Sequence, residues 1–362
     1  MTPAAQTAEK IRVLYVVRTY PQLSQTYIRY EIEALEDQYE IEVVCMAVPN
    51  LAYETSRPYT RVRNLWQVIE KIQTFRPHVI HTHWLHMIPV LQRIAKKTGI
   101  PYTVRAHSFD VLGKGDPKYL LRRFIKWMQG RPNFTGFGPE QVVSHVNSSY
   151  CLGVLSFPFS RPILEKIGMS GNKLIDCYPV ISYDRFHDRG PNGNGVMNVG
   201  ACIPKKQMTD FVDLGALVPE RPFHLYPIGF LTNQIDEYNI KKGSPIEVAH
   251  VIQHDQMPSE YKKHQWLVYT ASRKIGTVGW PLAIAEAQAA GVGACLANIR
   301  PDIKEYLGGA GFAYDSIAEV AEIIRKDVPE DVRERGFEQA RKSDIQRHKH
   351  LLSSLWDQAA GR

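Results

Sequence analysis

Runs of β-branched and aliphatic residues alternate with helix-patterned runs along most of this chain, and that alternation is what most limits the folds open to it. Residues 11–17, 40–46, 78–83 and 102–106 read as strands. Residues 26–35, 65–75 and 90–97 read as the helices between them. Apolar runs at 154–159 and 174–181 continue the pattern. Short apolar strands separated by helices predict a parallel sheet covered on both faces.

A Gly-, Asn- and Pro-rich segment at 186–195 interrupts the series, and a fresh strand at 196–200 starts directly behind it. A helix at 208–218 and strands at 223–228, 246–251 and 266–269 then repeat the β/α logic without sequence repetition. The reading is two doubly wound, Rossmann-like domains: residues 1–187, a linker at 188–195, and residues 196–342. A last helix within 343–362 is expected to cross back to the first domain. Open parallel sheets bind ligands at the carboxyl ends of their strands, so the expected site is the cleft between the two domains.

A chain of 362 residues is comfortable for two domains. The formal charge of +7 is concentrated early, with 23 Lys+Arg against 15 Asp+Glu in residues 1–185. That excess suits an acidic partner or substrate, or is simply the character of a basic protein. The five cysteines are scattered without CxxC spacing, which reads as reduced, buried thiols in a cytoplasmic protein. The first ten residues do not read as a signal peptide, and no run is apolar enough over about 18 residues to cross a bilayer. Residues 118–131 mix Lys118, Arg122, Arg123 and Lys126 with Leu121, Phe124, Trp127 and Met128. They read as a core-packed helix with a solvated basic face, or as one lying peripherally on the inner face of a membrane.

Most of the chemistry points to residues 276–293. Gly279-Trp280-Pro281 opens a helix, and Glu286 follows on it before Gly291 ends it. Unpaired N–H groups at a helix start hold phosphate, and a carboxylate further along accepts from ribose hydroxyls. Lys205 and Lys206 follow the strand ending at Gly200. His107 and Asp110 follow the strand ending at Ala106. Ser24, Gln25 and Thr26 either face the cleft or cap the helix behind them. His81, His83 and His86 lack an acidic or cysteine partner nearby in sequence, so no metal site is expected.

These segments, in this order, resemble the retaining glycosyltransferases of the GT-B fold, family 4 type. The matching pieces are residues 18–28, His81-Thr-His83, residues 106–110, 179–186, 199–206 and 279–291. The resemblance implies a metal-independent hexosyltransferase that moves a sugar from a nucleotide-diphosphate sugar to a hydroxyl of a saccharide or lipid-linked acceptor. It implies no cofactor beyond that co-substrate. The product would belong to polysaccharide, glycolipid or glycoconjugate synthesis. By the resemblance Lys206, with Lys205, clamps the diphosphate, and the amides of Gly279 and Trp280 share the load beside Pro281 and Leu282. Glu286 takes the ribose, and His107 meets the donor sugar or its phosphate. His83 and Asp110 belong to the cleft.

Two positions depart from the family pattern. Val278 stands where a second glutamate is usual, and Ala201 stands where an arginine is usual. Lys205, Arg273 and Lys274 are the candidate replacements for the lost cation, with Arg273 and Lys274, just before the donor helix, favoured. The departures also motivate a rival reading, a catalytically weak protein of this fold that binds a nucleotide-sugar or a partner transferase. A Rossmann oxidoreductase is disfavoured, because Arg18-Thr-Tyr-Pro-Gln-Leu stands where G-x-G-x-x-G would follow the first strand. No nucleic-acid-binding module is recognisable.

Overall fold

The computed structural model describes residues 9–48, 52–113, 137–229 and 231–361, so the basic stretch at 118–131 lies outside the described residues. Two parallel sheets carry the molecule. The first contains β1 (Ile11–Thr19), β2 (Tyr39–Ala47), β3 (Thr60–Arg61), β4 (Val79–His83), β5 (Tyr102–Arg105), β6 (Cys151–Ser156) and β7 (Leu174–Asp176). Its spatial order is β3-β2-β1-β4-β5-β6-β7. The second contains β8 (Gly195–Ala201), β9 (Phe223–Ile228), β10 (Glu247–Val248), β11 (His264–Tyr269), β12 (Gly293–Ala297) and β13 (Phe312–Tyr314). Its order is β10-β9-β8-β11-β12-β13.

The sequence pattern explains the central strands. Val13 through Val17 of β1 are all buried, as expected for a strand covered on both faces. β4 is buried throughout although it carries His81, Thr82 and His83, so those polar groups need internal partners. The helix Leu282–Ala289 is apolar nearly all round and is buried nearly all round. Two expected strands are shorter than their apolar runs. β7 stops at Asp176, ahead of Pro179, and the run at 246–251 pairs with β9 through only two residues at the sheet edge.

In each sheet the chain reverses direction of winding at its first strand, between β1 and β4 and between β8 and β11. The loops leaving those strands therefore diverge and open a crevice at each switch point. The final helix, Ile345–Ala359, packs on the first sheet rather than the second. Trp356 is fully buried there and donates its indole N–H to Thr103 Oγ1 at 3.1 Å. All five cysteines are free and buried. Among the described residues, no helix is long and apolar enough to cross a membrane.

Candidate functional site

The loops from both switch points enclose a cavity of about 380 Å³, a size suited to a small-molecule ligand. Ser24, Gln25, Thr26 and His107 line it from the first domain. Gly200, Ala201, Lys205, Lys206, Gly279, Trp280, Pro281, Leu282 and Glu286 line it from the second.

One end of the cavity is built to receive negative charge. Gly200 adopts φ +125°, and a Cβ there would collide with Nζ of Lys206, so glycine is what lets the lysine lie across the strand end. The turn carrying both lysines is tied to the loop after β11. Thr270 Oγ1 donates to the Lys206 carbonyl at 2.7 Å, and the Ser272 N–H donates to the Lys205 carbonyl at 2.8 Å. Burial lowers both ammonium groups to about 8, and for Lys205 the neighbouring Lys206 charge adds to the effect. Facing them, the helix Leu282–Ala289 begins with no side chain capping its amides. Gly279 sits so close to Ser108 of the first domain that a Cβ would collide with it.

Arg300 scaffolds that turn. Its guanidinium donates to the carbonyls of Gly276, at 3.0 Å, and Val278, and pairs with Asp302 at 2.8 Å. Asp302 also accepts the Trp280 indole N–H at 2.8 Å. Trp280 in turn stacks on Tyr306, with ring centroids 4.9 Å apart.

Glu286 is buried and meets two tyrosines. Tyr261 donates to Oε2 at 2.8 Å, and Tyr30, from the first domain, donates to Oε1 at 3.3 Å. Tyr30 Oη also lies 2.6 Å from Nε2 of His254. Burial raises the carboxyl to about 7, and the two hydroxyls offset only part of that push. A carboxylate has about four acceptor positions, so Glu286 keeps capacity for a ligand diol.

On the first-domain wall, the ring of His107 faces the cavity while His83 and Asp110 stand behind it. His83 Nδ1 is 3.1 Å from His107 Nε2, and His83 Nε2 is 3.1 Å from Glu31 Oε2. Glu31 also takes the Arg105 guanidinium. Burial opposes its ionisation, but Arg105 outweighs this together with His83 and His81, holding Glu31 well below the carboxylate range. Burial, with the neighbouring His83 and the Arg105 charge, holds His107 well below the histidine range, so it is neutral. The Asp110 carboxylate accepts the N–H groups of His107, at 2.8 Å, and of Leu85. Those bonds tie the loop ends together, and Asp110 does not line the cavity.

Several expectations change. Arg273 does not replace the missing clamp, because it pairs with Asp315 at 2.7 Å, outside the cavity, and Lys274 is exposed on the same turn. Lys205 is the cation that does reach the cavity, with Nζ 3.4 Å from the Thr277 carbonyl. The side chain at Val278 belongs to the hydrophobic core of the second domain. A neutral His107 brings no positive charge to a phosphate. Gln25 occupies the cap position of its helix, but its side chain makes no cap bond. The histidine pair does have an acidic partner after all. Glu31, His81 and His83 offer ligand atoms within 4.8 Å of one another, but Arg105 already neutralises that carboxylate. Tyr30, Glu31, His254, Tyr261 and Arg300 were not visible as site residues, since their partners lie far away in sequence.

Comparison with known proteins supports the fold. Residues 4–133 match the family described as glycosyl transferase 4-like domain. That match spans about the first third of the chain, and the solved structures that the chain resembles share the GT-B fold. Sucrose-phosphate synthase from Thermosynechococcus elongatus superimposes with a TM-score of 0.67 at 14% identity, over 97% of this chain and 99% of that one. HepE from Anabaena, in complex with UDP-glucose, gives 0.64 at 14% identity, over 97% and 98%. AviGT4, a glycosyltransferase involved in avilamycin A biosynthesis, gives 0.60 at 14% identity, over 97% and 99%. At these identities the structural likeness establishes the GT-B fold. No curated protein matches the sequence.

Proposed function

We propose that this chain is a retaining, metal-independent glycosyltransferase that moves a hexose from a nucleotide-diphosphate sugar to an acceptor hydroxyl. The observation that carries the reading is that Lys205, Lys206, Gly279 to Pro281 and the uncapped helix start at Leu282 line one cavity. Two cations and a helix N-terminus lining one cavity suit a departing diphosphate, which they stabilise electrostatically. HepE, of the same fold, was solved with UDP-glucose, so a UDP-sugar is the first donor to test.

The only carboxylate lining the cavity among the described residues is Glu286, and tyrosines occupy both its oxygens. Among the described residues no other carboxylate is therefore placed as a nucleophile toward the sugar. The reaction we infer is front-side displacement. The acceptor oxygen bonds to the anomeric carbon as the bond to the diphosphate oxygen breaks, and the departing diphosphate takes the acceptor proton. Glu286 orients the ribose, and His107 shapes the acceptor side as a neutral ring. The unpaired cysteines suit a cytoplasmic location, where nucleotide-sugars are made, and the product would enter polysaccharide, glycolipid or glycoconjugate synthesis.

Release of UDP from a panel of UDP-hexoses tests the reading. Lys206→Ala and Glu286→Ala should each lower turnover by about 10²-fold, the scale of losing one transition-state charge contact. Unchanged rates in both variants would sink the site assignment. Binding of UDP-sugars without any turnover would favour the second reading, a weak or inactive nucleotide-sugar-binding protein. The apolar packing of Val278 is what keeps that reading open.

A further inference from the structure

A run of polar side chains leads from the last helix to the cleft, and the residues at its ends and centre fix which way every proton points. The indole of Trp356 can only donate, and it meets Thr103 Oγ1 at 3.1 Å. The Thr103 hydroxyl then gives its own proton to Nδ1 of His81, 2.8 Å away. His81 is left to turn an Nε2–H toward Glu31 Oε2, at 3.5 Å. The Glu31 carboxylate can only accept, so His83, with Nε2 at 3.1 Å from the same oxygen, also carries its proton on Nε2.

Burial holds His83 below the ordinary histidine range, so its Nδ1 is bare. Nε2 of His107 lies 3.1 Å from that nitrogen. Two bare nitrogens cannot share a hydrogen bond, so the proton of His107 sits on Nε2. His107 is neutral, and its Nδ1 is therefore bare in turn. Glu31, His81 and His83 are fully buried and do not line the cavity, whereas His107 does. The charge of Glu31 is already met by Arg105 on its other oxygen, and that pair needs no histidine. Polar rings buried on a strand are costly unless they are used. A carboxylate behind a histidine sets which ring nitrogen carries the proton, and here that influence passes through a second histidine to the cleft.

We propose that Glu31 and His83 are positioning residues for the transfer reaction, which lock His107 into one neutral tautomer with its proton on Nε2. This deepens the sugar-transfer reading and rests on it. The locked ring keeps one polar atom without a proton, so it accepts from a hydroxyl and has no N–H to spare for a phosphate oxygen. It also adds no positive charge to a cleft in which the anomeric carbon gains its own as the diphosphate leaves.

Magic-angle-spinning NMR of the full chain with ¹⁵N-labelled histidine tests the lock, the signals being assigned by their loss in His83→Gln and His107→Gln. His83 and His107 should each show a protonated Nε2 and a bare Nδ1 at pH 7. A proton on Nδ1 of His107, or an imidazolium there, would overturn the proposal. Glu31→Gln can present either an oxygen or an N–H₂ group to His83 and should give His107 in both tautomers. A single unchanged tautomer would take Glu31 out of the lock. Turnover of UDP-hexoses tests the role. His83→Leu should lower it about tenfold, the upper end for one lost hydrogen bond between neutral groups. His83→Gln, which can still accept and donate, should restore most of it. UDP alone should bind both variants as it binds wild type, which also reports that they are folded. Equal losses in the two variants would reduce His83 to packing and overturn the proposal. A matching loss of UDP affinity in His83→Leu would overturn it too, because the ring would then serve the diphosphate. A wild type with the expected tautomers and no turnover of any UDP-hexose would overturn the sugar-transfer reading and leave the lock in place.

Discussion

Two glutamates buried within the same molecule end in opposite electrostatic states. Glu31, in the first domain, is fully buried and stays ionised. Glu286, in the second, is nearly as buried, and its carboxyl is pushed up to about 7. Burial opposes charge at both positions; what differs is the partner. Glu31 has a guanidinium and two histidines. Glu286 has two phenolic hydroxyls and no cation. The first arrangement is a finished ion pair that holds a wall together. The second is a carboxylate left short of partners, as a group that waits for a ligand should be. Tyr30 and Glu31 are adjacent in the helix Thr26–Leu35, so one turn serves both sites, about 100° apart around the helix axis.

The largest test of the contrast is a pair of amide substitutions. Glu31→Gln strands the buried Arg105 charge and should cost about 3–5 kcal/mol, the range for breaking a buried pair by removing one partner. Chemical denaturation at pH 7 measures this. A loss below about 1 kcal/mol would mean that the pair is not the anchor described here. Glu286→Gln should do the reverse at alkaline pH. The folded value lies above the unfolded one, so the stability linked to this group is present below about pH 4.3 and is lost as pH rises through about 7. The variant should therefore melt higher than wild type at pH 8 and show no gain at pH 4.5. A gain that does not grow with pH would contradict the raised carboxyl.

The pH dependence of UDP binding comes next in size. Ionised Glu286 is the better acceptor for a diol, so affinity should climb through about pH 7. Diphosphate favours protonated Lys205 and Lys206, so affinity should fall as pH rises through about 8. Calorimetric titration should show a narrow optimum between the two limbs. The alkaline limb should weaken in Lys206→Ala, and the acid limb should vanish in Glu286→Gln. The smallest expected effect belongs to Tyr30→Phe, which removes a hydroxyl donor from Glu286. The carboxyl should titrate higher still and the acid limb should move up with it, at a stability cost of about 1 kcal/mol. An unmoved limb would separate Tyr30 from the donor site.

Much of the architecture was legible locally. Strands such as β1 and β12 are continuous apolar runs, and a run buried on both faces has one natural home, a parallel sheet between helices. Gly200, Lys206, Gly279 and Glu286 were legible as well, because a glycine turn before a helix and a lysine after a strand carry their chemistry in their spacing. Arg273 misled for the same reason. Its place in sequence suited the clamp, yet Asp315, 42 residues on, holds it outside.

What the chain order alone determined is therefore the repeated β/α pattern, the break near 190, and the cavity-lining residues that follow strand ends. Tertiary structure alone decided which groups would be charged. Glu31 finds Arg105 across 74 positions, and Glu286 finds Tyr30 across 256. A carboxylate's state depends on the solvent it loses and the partners it meets, and both are set only when the two sheets and their loops close around it.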